Sequence, residues 1–272
     1  MSRIGVLMVV ALGLVLILLS VERTGFERFL AGGSKSAQAP GSAPVPPAPV
    51  AREVSLKTGL YSFDYAYPVQ AAAIPGLRDL LDARIEEAKA RLEAEATASR
   101  KDARANSYPF QPHYLDLGWQ VAADLPGWLS LHASVQTYGG GAHPNQGFEA
   151  LLWDRRQVRA LAPLDLFVSG QALDAALRQR YCDALDKERA ERREESIEQV
   201  RQDTIWQCPG VADLTIVLEA KGGKAFDHIG LLAAPYVAGS YAEGSYETGL
   251  AVDGAVIDAV KPEYREAFRA AR

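Results

Sequence analysis

The sequence contains few of the residues that build metal, redox and nucleotide sites. It holds two cysteines and four histidines among 272 residues. The histidines show no ligand spacing such as His-x-x-x-His, and no Cys-x-x-Cys pair occurs, so neither a zinc site nor a dithiol redox site is expected. The chain also lacks the Gly-x-Ser-x-Gly, phosphate-loop and dinucleotide-binding motifs. We therefore expect no metal and no cofactor.

Basic residues are not concentrated anywhere in the chain. The 29 Lys and Arg are outnumbered by 34 Asp and Glu, and the formal net charge is −5. Nucleic-acid-binding domains usually carry a basic patch, so a nucleic-acid partner is not expected. The length and the 48% hydrophobic content suit one globular domain with appendages.

One long apolar run lies near the start of the chain. The 18 residues from Ile4 to Val21 carry no charge, and this is about the shortest helix that spans a bilayer. We predict that residues 1–22 are a membrane anchor. A cleaved signal sequence is the alternative, although the cleavage-like Ala37-Gln-Ala39 lies far from the run.

A linker and a globular domain are predicted to follow the anchor. Residues 23–52 are rich in Pro, Ala, Gly and Ser, a composition that forms a semi-rigid tether and no core. Residues 53–272 are predicted to form the domain. Cys182 and Cys208, as the only cysteines of a membrane-anchored chain, favour one disulfide in an oxidising compartment; two buried free thiols are the alternative.

The hydrophobic pattern of the domain predicts an α+β fold. Alternating apolar residues indicate strands at 62–68, 113–122, 129–135, 148–153, 157–161, 213–219, 226–233 and 246–252. Helical spacing follows Pro75, recurs over 163–201 and returns near the end, and the polar tail 96–106 of the first helix is expected to fray. These elements predict a single domain with a mainly antiparallel sheet and helices packed on one side.

The helical region 163–201 conflicts with the disulfide if it is one rod. A straight helix would separate Cys182 from the Cys208 side by roughly 35 Å at about 1.5 Å per residue, whereas a disulfide needs α-carbons within about 7 Å. We predict that the chain reverses within Lys187–Ser196, where almost no apolar residue could hold a helix on the core. A helix that runs unbroken through Glu191 would exclude the disulfide.

The motif Tyr138-Gly-Gly-Gly-Ala-His-Pro144 is the clearest local signal. Gly139, Gly140 and Gly141 allow a tight turn and close approach of another group, and Pro144 restricts the backbone of His143. The motif predicts a turn in which His143 bonds backbone groups. Alternatively, His143 is a general base that takes its partner carboxylate from Asp154 or Asp165.

A second candidate surface is the loop from Pro235 to Gly249. Tyr236, Tyr241 and Tyr246 lie there among Gly and Ser, which suits stacking on sugars or binding a protein partner. An ordinary exposed loop is the alternative. The nearby Lys221-Gly-Gly-Lys224 is predicted to be a hairpin turn rather than a phosphate site.

Several of these motifs together resemble a family of envelope domains of unknown function. They are Tyr138–Pro144, the strand end Trp153-Asp154 with Leu161-Ala-Pro-Leu-Asp-Leu-Phe167, Tyr61–Pro68 before an amphipathic helix, and Ala234–Gly239. The family domain forms the extracytoplasmic part of RsiV-type anti-sigma factors and the non-catalytic part of PdaC-type peptidoglycan deacetylases. The resemblance spans residues 55–270.

The resemblance implies a membrane-tethered module that binds an envelope ligand such as lysozyme or peptidoglycan and has no catalytic activity of its own. The candidate binding residues are Tyr138, Gly139, Gly140, Gly141, His143, Tyr236, Tyr241 and Tyr246. The alternative is a cell-wall hydrolase that uses His143. The expected location is the bacterial envelope, with an inner-membrane anchor at residues 4–21 and the domain in the periplasm. Because three residues precede that run, a sigma-factor sensor is not expected, nor is a deacetylase, whose catalytic domain we do not find.

Overall fold

A six-stranded sheet carries a long helix on one face. The computed structural model describes residues 48–271, so the predicted anchor and most of the predicted linker lie outside the described residues. Within this part of the chain the helices are Val69–Ala72 (α1), Pro75–Ala105 (α2), Gly170–Arg193 (α3), Ile197–Arg201 (α4) and Gly254–Ala259 (α5). None of the helices described has the length and apolar character that a bilayer-spanning segment requires.

The strands form two sheets. The large sheet has the order β1-β2-β3-β4-β5-β6, and the small sheet has the order β7-β8-β9. The strands are Arg52–Lys57 (β1), Tyr61–Tyr67 (β2), His113–Leu125 (β3), Trp128–Tyr138 (β4), Asn145–Asp154 (β5), Arg159–Leu161 (β6), Thr215–Glu219 (β7), His228–Ala233 (β8) and Tyr246–Ala251 (β9). All neighbours pair antiparallel except β2 and β3, which are parallel. A parallel pair needs a crossover connection, and α2 supplies it.

Helix α2 packs its apolar stripe on the large sheet. Pro75 occupies the first turn, where its missing N–H costs nothing. Leu77, Leu81 and Ile85 are buried against strand residues such as Phe63 and Leu131. The predicted fraying of residues 96–106 is wrong, because the helix continues to Ala105 with Ala96 and Ala103 buried along the same stripe.

The small sheet lies between the large sheet and α3. The Thr215 hydroxyl of β7 donates to the Phe148 carbonyl of β5 at 3.3 Å, which joins the two sheets. On the other side, Leu177 and Leu185 of α3 share one core with the small sheet. The α+β class and the mainly antiparallel arrangement are confirmed. The helices, however, are divided between two sheets instead of covering one side of a single sheet.

Helix α3 ends later than a packing argument predicts. It runs unbroken through Glu191 to Arg193, and the chain turns at Glu194, whose φ of 55° is left-handed. Ser196 then caps α4. The reversal within Lys187–Ser196 is therefore confirmed, at the far end of that segment. The expectation that a helix unbroken through Glu191 would exclude the disulfide is wrong, because the returning chain still brings Cys208 to Cys182.

The disulfide between Cys182 and Cys208 is present, with the α-carbons 5.6 Å apart. The predicted strands are present with shifts of a few residues at their ends. Strand β1 was not predicted, because its residues are largely exposed and follow directly on the proline-rich segment.

Candidate functional site

His143 and two tyrosines of the β8–β9 loop form one cluster. The His143 ring stacks on Tyr241 with centroids 4.0 Å apart and an angle of 29°. His143 Nδ1 lies 2.8 Å from the carbonyl oxygen of Pro144, and Nε2 lies 3.3 Å from the hydroxyl of Tyr236. A carbonyl oxygen only accepts hydrogen bonds, so Nδ1 donates to it. In this tautomer Nε2 accepts a hydrogen bond from the Tyr236 hydroxyl. The two candidate segments predicted separately therefore meet.

The glycines of the motif build the turn beneath this cluster. Gly140 has a φ of +87°, a conformation that favours glycine. The Tyr138 hydroxyl donates to the Gly141 carbonyl at 2.9 Å and closes the turn. At Gly139 and Gly140 the nearest atoms to an added Cβ belong to the His113 ring, 3.9 Å away. The turn conformation, rather than a very close approach, thus accounts for the glycine at 140.

The carboxylates proposed to assist His143 lie elsewhere. Asp154 is buried at the far end of β5, where it accepts from the backbone N–H groups of Arg156 and Gln157 at 2.9 and 3.0 Å. Nine residues along a strand separate it from Asn145, about 30 Å at roughly 3.3 Å per residue. Asp165 accepts from the Ala162 N–H. Neither carboxylate hydrogen-bonds to His143, so the structure does not bring the alternative set of His143, Asp154 and Asp165 together.

An exposed groove adjoins the cluster at Tyr236. Its volume is about 480 Å³, and we call it the aromatic groove. The side chain of Tyr236 is 55% exposed and that of Ile205 is 79% exposed. The lining residues are Ile205, Trp206, Gln207, Cys208, Pro209, Gly210, Asp213, Tyr236 and Val237. Sequence reasoning missed the wall at 205–210, whose only signal was Ile205 and Trp206 beside the second cysteine.

Tyr246 does not belong to the exposed aromatic cluster. It lies at the start of β9 and is fully buried. Its hydroxyl donates to Glu243 at 2.6 Å, and the Arg192 guanidinium lies 4.1 Å from its ring centroid. Burial and the Glu243 carboxylate raise the pKa of Tyr246 to about 12. The prediction that Tyr246 contacts a ligand is wrong, since the strand places its ring in the core.

Ion pairs join the two walls of the aromatic groove. Arg193 donates to Glu243 at 2.7 Å and to Asp203 at 2.9 Å. Asp203 accepts from the N–H groups of Ile205 and Trp206. Burial opposes ionisation of Glu243, but hydrogen bonds from Arg193, Tyr246 and the Ser240 N–H outweigh it and lower its pKa to about 2.

A buried arginine and the disulfide fasten the same two walls. Arg189 is only 1% exposed, and burial lowers its pKa. Its guanidinium donates to the carbonyl oxygens of Gln207 and Ala238 at 3.2 and 2.8 Å. The disulfide from Cys182 ends at Cys208 in the groove itself. The groove is therefore a fixed feature of the fold.

Within residues 48–271 no group of three or more His, Cys, Asp and Glu side chains is arranged to hold a metal ion. His132 lies half-buried between the sheets, where burial lowers its pKa despite the nearby charges of Glu219 and Glu247.

Comparison with solved structures identifies members of the DUF3298 family. One, from Bacteroides fragilis, is 13% identical over 81% of this chain and 97% of that chain, with a TM-score of 0.44. Another, from Pseudomonas aeruginosa, is 18% identical over 79% of this chain and 95% of that chain, with a TM-score of 0.42. No curated protein matches this chain.

The family model described as deacetylase PdaC matches residues 54–146. This segment begins in β1, includes α2 and ends at the start of β5, so it contains the glycine motif and His143. The resemblance predicted from the motifs is confirmed for this segment: residues 54–146 are similar to the PdaC family model.

Proposed function

We propose that this protein is a binding module for a cell-envelope ligand and that its aromatic groove holds sugar rings of peptidoglycan. Tyr236 and Trp206 offer flat apolar faces with polar edges, the type of surface that binds ligands with one apolar and one wet side. The groove volume of about 480 Å³ falls within the range of small-ligand sites. The family resemblance supports the choice of peptidoglycan.

The observation that carries this proposal is the backbone of Tyr236. Its φ is +71°, although a non-glycine residue in this region usually costs about 1 kcal/mol or more. The side chain is held outward, 55% exposed, instead of being buried. This conformation closes the Ala234–Val237 turn, in which the Val237 N–H donates to the Ala234 carbonyl at 3.0 Å, and it places the Tyr236 ring at the groove. Backbone conformations of this kind cluster at binding sites.

The surroundings of His143 favour binding over hydrolysis. Both ring nitrogens are engaged, one by the Pro144 carbonyl and one by the Tyr236 hydroxyl. In the part of the chain that the structure describes, no carboxylate hydrogen-bonds to this ring. A general base is usually oriented by such a partner and has a free nitrogen for the substrate proton.

The predicted anchor adds a location to this proposal. Residues 4–21 would insert in the inner membrane, and the linker up to residue 52 would hold the domain in the periplasm. A reporter enzyme fused after Arg272 tests this topology. Activity of a periplasm-dependent reporter is expected, and activity of a cytoplasm-dependent reporter alone would contradict it.

Binding to purified peptidoglycan tests the function directly. The chain is expected to sediment with peptidoglycan sacculi and to bind N-acetylglucosamine oligomers in calorimetry. Tyr236→Ala and Trp206→Ala should each weaken binding by about tenfold, the loss expected for one well-packed aromatic contact. Tyr108→Ala is the matched control, because Tyr108 is 49% exposed but does not line the groove.

Lysozyme and substrate cleavage provide the contrary outcomes. Binding of lysozyme without binding of any glycan would make the groove a protein-docking site instead. Release of reducing ends from peptidoglycan, lost in His143→Ala, would restore the hydrolase alternative. Equal glycan binding by wild type and Tyr236→Ala would show that the aromatic groove is not the glycan-binding site.

A further inference from the structure

A second cavity lies at the end of the small sheet, built by elements other than those of the aromatic groove. Its volume is about 400 Å³. One wall is the β7–β8 turn and the other is the chain segment after Phe268. We call it the basic cavity; it is lined by Lys221, Gly222, Lys224, Ala225, Asp227, His228, Arg269, Ala270 and Ala271.

The turn wall is fixed by Asp227. Its carboxylate accepts from the backbone N–H groups of Lys221 and Gly222 at 2.8 and 2.6 Å. A Cβ at Gly222 would lie 2.6 Å from Asp227 Oδ2, so a larger residue would push the turn off its anchor. The hairpin turn predicted at Lys221–Lys224 is thus confirmed, and its shape is tied to a residue of the cavity.

The opposite wall is fixed by backbone hydrogen bonds. Phe226 N–H donates to the Ala267 carbonyl at 2.8 Å, and Arg269 N–H donates to the Phe226 carbonyl at 3.0 Å. Ala271 N–H donates to the Val252 carbonyl at 3.0 Å. The backbone that carries Arg269 is therefore held in place beside β8, and the cavity exists before any ligand arrives.

The charges in the basic cavity do not cancel. Asp227 is already occupied by two N–H groups and by His228, and Lys221 pairs with Glu219 at 3.2 Å. Lys224 and Arg269 form no ion pair with any carboxylate among residues 48–271. Two cationic side chains of different geometry thus remain available to an anion.

His228 adds one hydrogen-bond acceptor. Its Nδ1 lies 2.9 Å from Asp227 Oδ1. An ionised carboxylate only accepts, so Nδ1 carries the proton. Nε2 has no hydrogen-bond partner in the described part of the chain, and in this tautomer it accepts. The cavity therefore combines positive charge with an acceptor suited to a hydroxyl group.

We propose that the basic cavity binds a phosphate monoester. Lys224 and Arg269 bind the phosphate oxygens, since ammonium and guanidinium groups form the short charge-assisted hydrogen bonds that phosphate prefers. His228 accepts a hydrogen bond from a hydroxyl group on the organic part. The volume exceeds what phosphate alone would fill and lies in the range of small-ligand sites.

Calorimetry on the full chain with glycerol 3-phosphate tests this site, with inorganic phosphate and glycerol as the two partial ligands. Glycerol 3-phosphate is expected to bind more tightly than inorganic phosphate, and glycerol is expected not to bind. The Lys224→Ala/Arg269→Ala variant should lose at least about tenfold in affinity for both phosphates. Lys101→Ala, at an exposed position on α2, should match wild type.

His228→Leu separates the two halves of the proposal. It should weaken glycerol 3-phosphate binding while leaving inorganic phosphate binding unchanged. No binding at millimolar ligand, or the same affinity in wild type and the Lys224→Ala/Arg269→Ala variant, would overturn the site. Tighter binding of inorganic phosphate than of glycerol 3-phosphate would overturn the proposal that the ligand is a phosphate monoester. Tyr236→Ala should retain phosphate binding. A failure of the proposed glycan binding in the aromatic groove can therefore be distinguished from a failure of the phosphate site.

Discussion

The imidazole of His143 lies flat on the phenol ring of Tyr241, and the Tyr241 hydroxyl donates to the Pro144 carbonyl at 2.9 Å. These contacts join the β4–β5 turn to the β8–β9 loop, which belong to different sheets. Pro144 and Tyr241, which this hydrogen bond joins, are 97 positions apart in the sequence. One aromatic cluster thereby ties the glycine motif to the wall of the groove.

Replacing His143 by alanine should destabilise the domain. The variant loses a ring contact of about 0.5–1.5 kcal/mol and a hydrogen bond of about 0.5–1.5 kcal/mol. We expect the free energy of unfolding in urea to fall by about 1–2 kcal/mol, with Asn145→Ala, an exposed neighbour, as control. A fully stable variant that has lost a measured hydrolytic activity would contradict the structural role.

Two substitutions at Tyr236 separate strain from function. Glycine adopts a φ of +71° without strain, whereas alanine is strained in this conformation. Tyr236→Gly should therefore be more stable than Tyr236→Ala by about 1 kcal/mol, while both lose glycan binding equally. Thermal unfolding and sacculus sedimentation measure the two effects. Equal stability of the variants would show that the backbone is not strained.

The disulfide should contribute measurably to stability. It closes a loop with a sequence separation of 26, for which the chain-entropy model gives roughly 3–4 kcal/mol. Cys182→Ala/Cys208→Ala should lower Tm by roughly 6–16 °C for a domain of this size. Reductant should lower the Tm of wild type and leave that of the variant unchanged. If wild type is treated with reductant under denaturing conditions and its Tm does not change, the disulfide would be contradicted.

Glu243 should make stability depend on acid pH. Its pKa is about 2 in the folded chain against 4.5 as the ordinary value. Its contribution is complete above pH 4.5 and is lost as pH falls toward 2. Glu243→Gln should therefore be less stable than wild type at pH 7, and the difference should shrink at pH 3. Glu266→Gln, in an exposed ion pair with Arg156, is the control.

The sheet was predictable where one strand face is buried. Strand β3 alternates buried and exposed residues over much of its length, which is the period-two pattern. Strand β1 is exposed at nearly every position, so it has no such pattern. The end of α2 was missed because Ala96 and Ala103 pack there, and alanine gives a weak hydrophobic signal.

The candidate site was predictable in parts but not as a whole. The motif around His143 and the loop with Tyr236 are each visible in the sequence, yet no local pattern shows that they meet across 93 positions. The tail of α3 was misjudged for a related reason. It is held by Arg189, whose buried guanidinium donates hydrogen bonds to two backbone carbonyl oxygens. A charged residue ordinarily predicts an exposed position.

The parallel pairing of β2 and β3 sets an order of events during synthesis. Tyr61 lies opposite His113, 52 positions later in the chain. A hairpin such as β1–β2 is only marginally stable alone. The β1–β2 hairpin is therefore stable only once α2 has connected β2 to β3 and β3 has paired with β2. The ribosome must release the chain as far as β3 before this half of the large sheet can persist.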